Sequence, residues 1–190
     1  MNHGTGEARA VPRLVDGQLV LRPWQTDSHD ELIVLAAGRD DEAARYSPSI
    51  SRVNTPADAK AWLSDRSSPD RIDWAIEHRP DDEERGATVG RVGLAWIREE
   101  TGEAEIGYWL LAHARGQGIA TGAVQLMMRW AFGPGGFGRL EIRHVPENRG
   151  SCRVADRCGF IAEGVQRGAL VMSGVRHDLH LHAKLATDPV

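Results

Sequence analysis

An α+β layer sandwich built on one mixed sheet is the fold this sequence predicts, and three observations carry that reading. Three β-rich runs, Trp74 to Glu77, Thr88 to Ile97 and Ala104 to Leu111, follow one another across turns rich in Asp, Glu and Gly, which suits antiparallel hairpins. A run from Gly118 to Phe132 then places Ile119, Ala120, Ala123, Val124, Met127, Trp130 and Ala131 on one broad helical stripe, which must bury against a sheet. Further strands and a short helix alternate after it, and no internal repeat or second domain boundary interrupts the 190 residues, 41% of them hydrophobic.

Element by element, Met1 to Asp16 is small and polar and is expected to be a mobile tail, leaving 17–190 as one domain. Gln18 to Arg22 reads as the first strand, and Ser28 to Ala37 as a helix capped by Asp27 or Ser28. Asp40 to Asn54 has no readable pattern. Thr55 followed by Pro56 is a cap with proline at the first helical position, so a helix runs to about Ser64. The three hairpin strands and the long helix come next, and Gly133-Pro134-Gly135-Gly136 ends that helix. Leu140 to Val145 is a strand, Ser151 to Cys158 a short helix, Phe160 to Glu163 a strand and Val175 to Leu185 the last one.

Composition narrows the classes of function. A net charge of −4 argues against general nucleic-acid binding, which needs a dense basic surface to displace counterions. No apolar run approaches the ~20 residues of a membrane span, and the first residues lack the apolar stretch of a secretory signal. Cys152 and Cys158 lie six apart on one helix, badly placed to bridge and too few for a metal framework, so a cytoplasmic location is expected. His177, His180 and His182 lie near the end of the chain. His180 and His182 share a strand face at a spacing that can hold zinc, but the sequence offers no third ligand, so no metal is expected.

The segment Arg115-Gly116-Gln117-Gly118-Ile119-Ala120 joins a strand to the long helix. Its two glycines leave backbone N–H groups bare, and the helix aims its positive end at the same place, which is how a protein holds a pyrophosphate. Ile119-Ala120 cannot replace the Lys and Ser or Thr of a Walker loop, and Thr121 stands where a dinucleotide fingerprint needs a small residue. The plainer alternative is an ordinary strand-to-helix turn containing glycine.

With Ala104-Glu105-Ile106-Gly107-Tyr108-Trp109-Leu110-Leu111 before it, the Arg115-x-x-Gly118-x-Ala120 loop resembles the GNAT acetyltransferase superfamily, in its RimJ/RimL-like branch. A second block, Pro146-Glu147-Asn148-Arg149-Gly150-Ser151 with Cys158-Gly159-Phe160, is similar to the Pro-x-Asn-x-x-Ser element and closing Gly-Phe of that family. The resemblance implies a GNAT-like three-layer sandwich, its mostly antiparallel sheet splayed after the fourth strand and helices on both faces. It also implies acetyl-CoA as acyl donor, with coenzyme A as product. Trp109, Leu110 and Leu111 would line the pantetheine arm, and Arg115, Gly116, Gln117, Gly118, Ile119, Ala120 and Thr121 would wrap the pyrophosphate. The acceptor would be a primary amine, taken as a protein or peptide N-terminus. A small-molecule amine is the alternative, and a non-catalytic acyl-CoA sensor is the reading of another class. Pairing of two copies through edge strands or C-terminal elements also follows from the resemblance.

Acetyl transfer needs a base for the amine, donors for the developing oxyanion and help for the departing thiolate. The family points to backbone N–H groups of Trp109, Leu110 or Leu111 as the donors. Glu105 alternates with Gly107 and Trp109, and Glu141 with Arg143 and Val145, so either carboxylate could face the cleft as base, or pair with an arginine such as Arg143 or Arg91. Glu105 would also meet the acceptor, as would Trp24, which follows Leu21-Arg22-Pro23. Many relatives keep a tyrosine where Ala155 stands here, which shifts the donor to the thiolate onto Ser151. Asn148 would order the loop and bond the pantetheine arm, or cap the short helix. Cys152 has no histidine partner in sequence, so direct transfer in a ternary complex is expected. The acidic runs Asp81 to Glu84 and Glu99-Glu100 read as solvated turns, or as a rim attracting a cationic amine.

Overall fold

The expected sheet and its covering helices are present in the computed structural model, which describes residues 10–67, 70–80, 86–172 and 174–189. The run Asp81 to Glu84 and residues 1–9 of the expected tail lie outside these. Part of that tail is structured. Leu14–Asp16 forms β1, which turns back through Gly17, at φ +55°, onto β2 (Leu19–Pro23). Three residues are too few for an alternation to show in sequence.

The other strands are β3 (Ile72–His78), β4 (Ala87–Arg98), β5 (Glu103–Leu110), β6 (Arg139–His144), β7 (Ile161–Met172) and β8 (Val175–Leu185). They lie in one sheet in the order β1-β2-β3-β4-β5-β6-β8-β7, antiparallel throughout except between β5 and β6. That parallel pair is joined only from Glu103–Glu105 to Arg139–Glu141, after which the two strands diverge. β5 is the expected fourth strand, renumbered by the extra β1. β7 runs nine residues past the expected Glu163, pairing with β8 along the sheet edge. Its side chains are mostly exposed, so it lacks the buried alternation by which a strand is recognised.

On one face lie α1 (Ser28–Gly38), α2 (Asp41–Tyr46) and α3 (Pro56–Ser64); on the other lie α4 (Ile119–Phe132) and α5 (Arg149–Arg157). Local chemistry starts each helix on the first face. Asp27 accepts from the Asp30 N–H, Asp40 from the N–H groups of Glu42 and Ala43, and Thr55 with Asp58 forms a capping box. The alternation of β5 divides its side chains between two cores: Ala104, Ile106 and Leu110 pack toward α4, Trp109 and Leu111 toward α1–α3.

Beneath the α1–α3 layer is a buried charge cluster. Asp73 accepts from Arg91 Nε at 2.5 Å and from Arg66 Nη1 at 3.2 Å, all three residues being buried. Gly93 and Gly107 make the room: a Cβ on the first would sit 2.1 Å from Asp73 Oδ1, and on the second 2.9 Å from Arg91 Nη1.

Candidate active site

The divergence of β5 from β6 opens a cleft of about 370 Å³, walled by both strands, by α2, by the first turn of α4, by α5 along its length and by Leu170, Met172 and Leu179 of β7 and β8. Across its floor, β5 presents two kinds of backbone group. Leu111 N–H bonds Val89 O at 2.9 Å, so in the two-residue alternation of an antiparallel ladder Trp109 also turns its amide toward β4, while Leu110 and Tyr108 turn theirs toward the gap. Leu110 O confirms the direction, because Arg115 beyond the strand takes it at 3.1 Å (Nε) and 2.8 Å (Nη2). Of the three expected oxyanion donors, Leu110 alone offers a free N–H to the cleft. Leu111 is corrected: its amide is consumed by Val89, and its side chain belongs to the α1–α3 core rather than to the cleft lining.

At one end of the cleft stands the glycine loop. Gly116 and Gly118 adopt φ +77° and +80°, which only glycine takes without strain, and a Cβ on either would meet nothing within 4 Å. Gly118 caps α4 without any side-chain bond, and no backbone carbonyl among the described residues takes up the N–H groups of 116–121. The result is an open row of donors at the positive end of a 14-residue helix. Gly116, Gly118, Ile119, Ala120 and Thr121 line the cleft; Gln117 turns its side chain back onto His113 O at 2.7 Å.

Arg115 lies beside this row as a brace. Besides gripping Leu110 O, it pairs with Asp40 and with Glu42, at 3.3 Å from the latter. Burial works against the charged form of Asp40, but Arg115 and the capped amides outweigh it and hold the carboxyl below its ordinary value. The unreadable stretch after Asp40 therefore supplies α2, whose Glu42, Ala43 and Tyr46, with Ser47 and Pro48 beyond, form the wall opposite the loop.

The two candidate bases separate. Glu105 lines the cleft, and Arg143, also in its lining, donates to it through Nε at 2.9 Å and through Nη2. Glu141 is absent from the lining and accepts from Arg139 at 3.0 and 3.3 Å, in a cluster that Glu163 completes. Asn148 and Ser151 both face the cleft. Asn148 Oδ1 accepts from Ser151 N–H at 3.0 Å, so it caps α5 while lining the cavity. Sequence reasoning passed over Tyr108, whose hydroxyl donates to Ser151 O at 3.4 Å inside the cleft. Burial pushes the phenol above its ordinary value, keeping it a donor. An even position on β5 was the available signal.

Trp24 is a second correction. It packs on Trp62 and Trp109, at ring separations of 5.5 and 6.1 Å, and does not line the cleft. Three large rings fill the space between α3 and β5, so this one serves packing. Cys152 neighbours Asp156 at 4.0 Å, and both cysteines are free.

A splayed parallel pair beside an uncapped helix start leaves a cleft whose bare amides suit an anionic group such as a diphosphate. A family profile described as the acetyltransferase (GNAT) domain matches residues 18–161, and the chain belongs to that family. It is 33% identical over 100 residues to YdaF of Bacillus subtilis (strain 168), which carries a provisional ribosomal N-acetyltransferase name; the match covers 53% of this chain and 55% of that protein. It is also 33% identical over 97 residues to the ribosomal-protein-serine acetyltransferase of Escherichia coli (strain K12), covering 51% and 54%. These matches span about half the length of those relatives. The fold extends further. RimL, a ribosomal L7/L12 alpha-N-protein acetyltransferase solved in complex with coenzyme A, superposes with a TM-score of 0.80 at 22% identity, over 92% of this chain and 98% of that one.

Proposed function

We propose that this protein is an N-acetyltransferase that moves the acetyl group of acetyl-CoA directly onto the N-terminal amine of a protein or peptide. The open row of amides at 116–121, facing the gap between β5 and β6, is the observation that carries the reading. Those amides and the helix dipole fit a diphosphate, with Arg115 fixing the loop from behind. Acetyl-CoA bound there supplies a thioester carbonyl. Leu110 N–H stabilises the negative charge that develops on its oxygen. Glu105, oriented by Arg143, takes a proton from the attacking amine as the C–N bond forms and the C–S bond breaks. The Ser151 hydroxyl donates to the departing sulfur, while Tyr108, whose own proton goes to Ser151 O, holds that turn of α5 against β5. Glu141 has no part in this assignment, being held by Arg139 outside the cleft.

A peptide acceptor is supported by the mouth of the site. A second hollow, of about 410 Å³, lies between α2 and the start of α5, lined by acidic and basic side chains including Glu42, Glu147 and Arg153. A polar, open approach of that kind suits a backbone with its ammonium end. No helix among the described residues is long and apolar enough to cross a membrane, and two unpaired cysteines fit action in the cytoplasm.

The test is intact-mass analysis of peptides and small amines offered together with acetyl-CoA, for the wild type and for Glu105→Gln. Peptide N-termini should gain one acetyl group. Glu105→Gln should lose turnover by about 10²-fold or more near neutral pH and less at high pH, where the amine is already free. Acetylation of small amines alone would replace the acceptor, and coenzyme binding without transfer to any amine would leave a sensor. A loss independent of pH would remove Glu105 as base.

A further inference from the structure

Three histidines that the sequence scatters over 39 residues meet on one patch of the sheet. His144 of β6 stands opposite His180 of β8, and His182, opposite Ile142, lies one step along the same face. One nitrogen from each falls within 4.8 Å of the other two. The His144 and His182 rings stack at 22°, and His180 meets His144 edge-on. The patch faces α5, from which Asp156 places a negative charge near both His144 and His182.

Hydrogen bonding within the patch leaves it incomplete. His144 Nδ1 lies 2.9 Å from Val145 O, and a carbonyl only accepts, so Nδ1 carries the proton and Nε2 carries the lone pair. That Nε2 is 3.2 Å from His182 Nε2, while His182 Nδ1 is buried without a partner. Either neutral form of His182 is then unsatisfied. With the lone pair on Nε2, two lone pairs confront each other; with it on Nδ1, a buried acceptor is orphaned.

We propose that His144, His180 and His182 form a binding site for a divalent transition-metal ion of the Zn²⁺ class, with water in the fourth position. Two nitrogens bound to one tetrahedral Zn²⁺ at about 2.0–2.1 Å stand about 3.3 Å apart, close to the 3.2 Å already present between His144 and His182. Val145 O plays the part that an outer acceptor plays for a metal-bound histidine, fixing the tautomer that directs Nε2 inward. The ion would tie β6 to β8 beside the cleft that His144 lines. The expectation of no metal rested on the missing third ligand, which is His144, too distant in sequence to be paired with the other two.

The test uses the untagged 190-residue chain, stripped with a chelator and titrated with Co²⁺ and then Zn²⁺. One equivalent of Co²⁺ should give the intense visible bands of a tetrahedral centre, and Zn²⁺ should displace it. His180→Ala, altering the half-buried member, should weaken binding at least about tenfold while leaving the circular dichroism spectrum unchanged. His180→Cys should retain Co²⁺ and add a thiolate charge-transfer band, a signature no merely structural role produces. Failure to bind one equivalent, undiminished binding in His180→Ala, or no charge-transfer band in a folded His180→Cys would overturn the proposal. None of these readouts depends on acetyl transfer.

Discussion

Gly118 shows how much a single residue commits. Its φ of +80° and the empty space above it leave the first amides of α4 bare. Gly118→Val introduces no collision but forces a branched residue into a left-handed conformation, which costs about 1–3 kcal/mol. The loop should shift to relieve that strain, so coenzyme A affinity measured by calorimetry falls at least about tenfold while the variant stays folded. Unchanged affinity in the folded variant would remove the loop from the site. Gly116 and Gly118 were legible because a positive φ is a local demand that glycine announces. Glu105 and Glu141 could not be told apart, because alternation sets which way a side chain points and not which arginine awaits it. Leu110 likewise needed the ladder register, since three consecutive residues differ only in which edge of the strand their amides face.

Among the elements, the hairpin strands and α4 follow from period and turn chemistry, and their ends fall within a residue or two of the expected ones. α2 escaped because six residues span fewer than two turns, too short for a stripe to repeat. It is held by tertiary contact instead, through Asp40 and Arg115. That contact has a pH signature. The Asp40 carboxyl is held below its unfolded value near 3.9, so its contribution is complete above about pH 4 and is lost as pH falls through the lower folded value. Asp40→Asn should therefore flatten the fall in urea stability below about pH 4. At neutral pH it should weaken coenzyme binding by no more than about 1 kcal/mol, as suits a partly solvated pair. A pH dependence identical to wild type would show that Asp40 is not the group responsible.

At the scale of the whole molecule, two cores on opposite faces make the three-layer sandwich; the stripe of α4 implied the first, and the second followed only from the family resemblance. Contacts between distant segments were beyond it, as the histidine patch and the three nested tryptophans illustrate. The Asp73, Arg66 and Arg91 cluster is another such contact. Asp73→Ala would leave two buried guanidinium groups facing each other, and urea denaturation should record a loss of about 3–5 kcal/mol. A loss under 1 kcal/mol would mean that water reaches both cations. The seam between β5 and β6 carries a mechanical consequence. With only three residues zipped on each side, the two halves of the sheet are joined here less by backbone bonds than by packing, in which Val154 and Ala155 of α5 share one core with Leu140 of β6. Trimming those side chains would narrow or tilt the opening well before it melted either half.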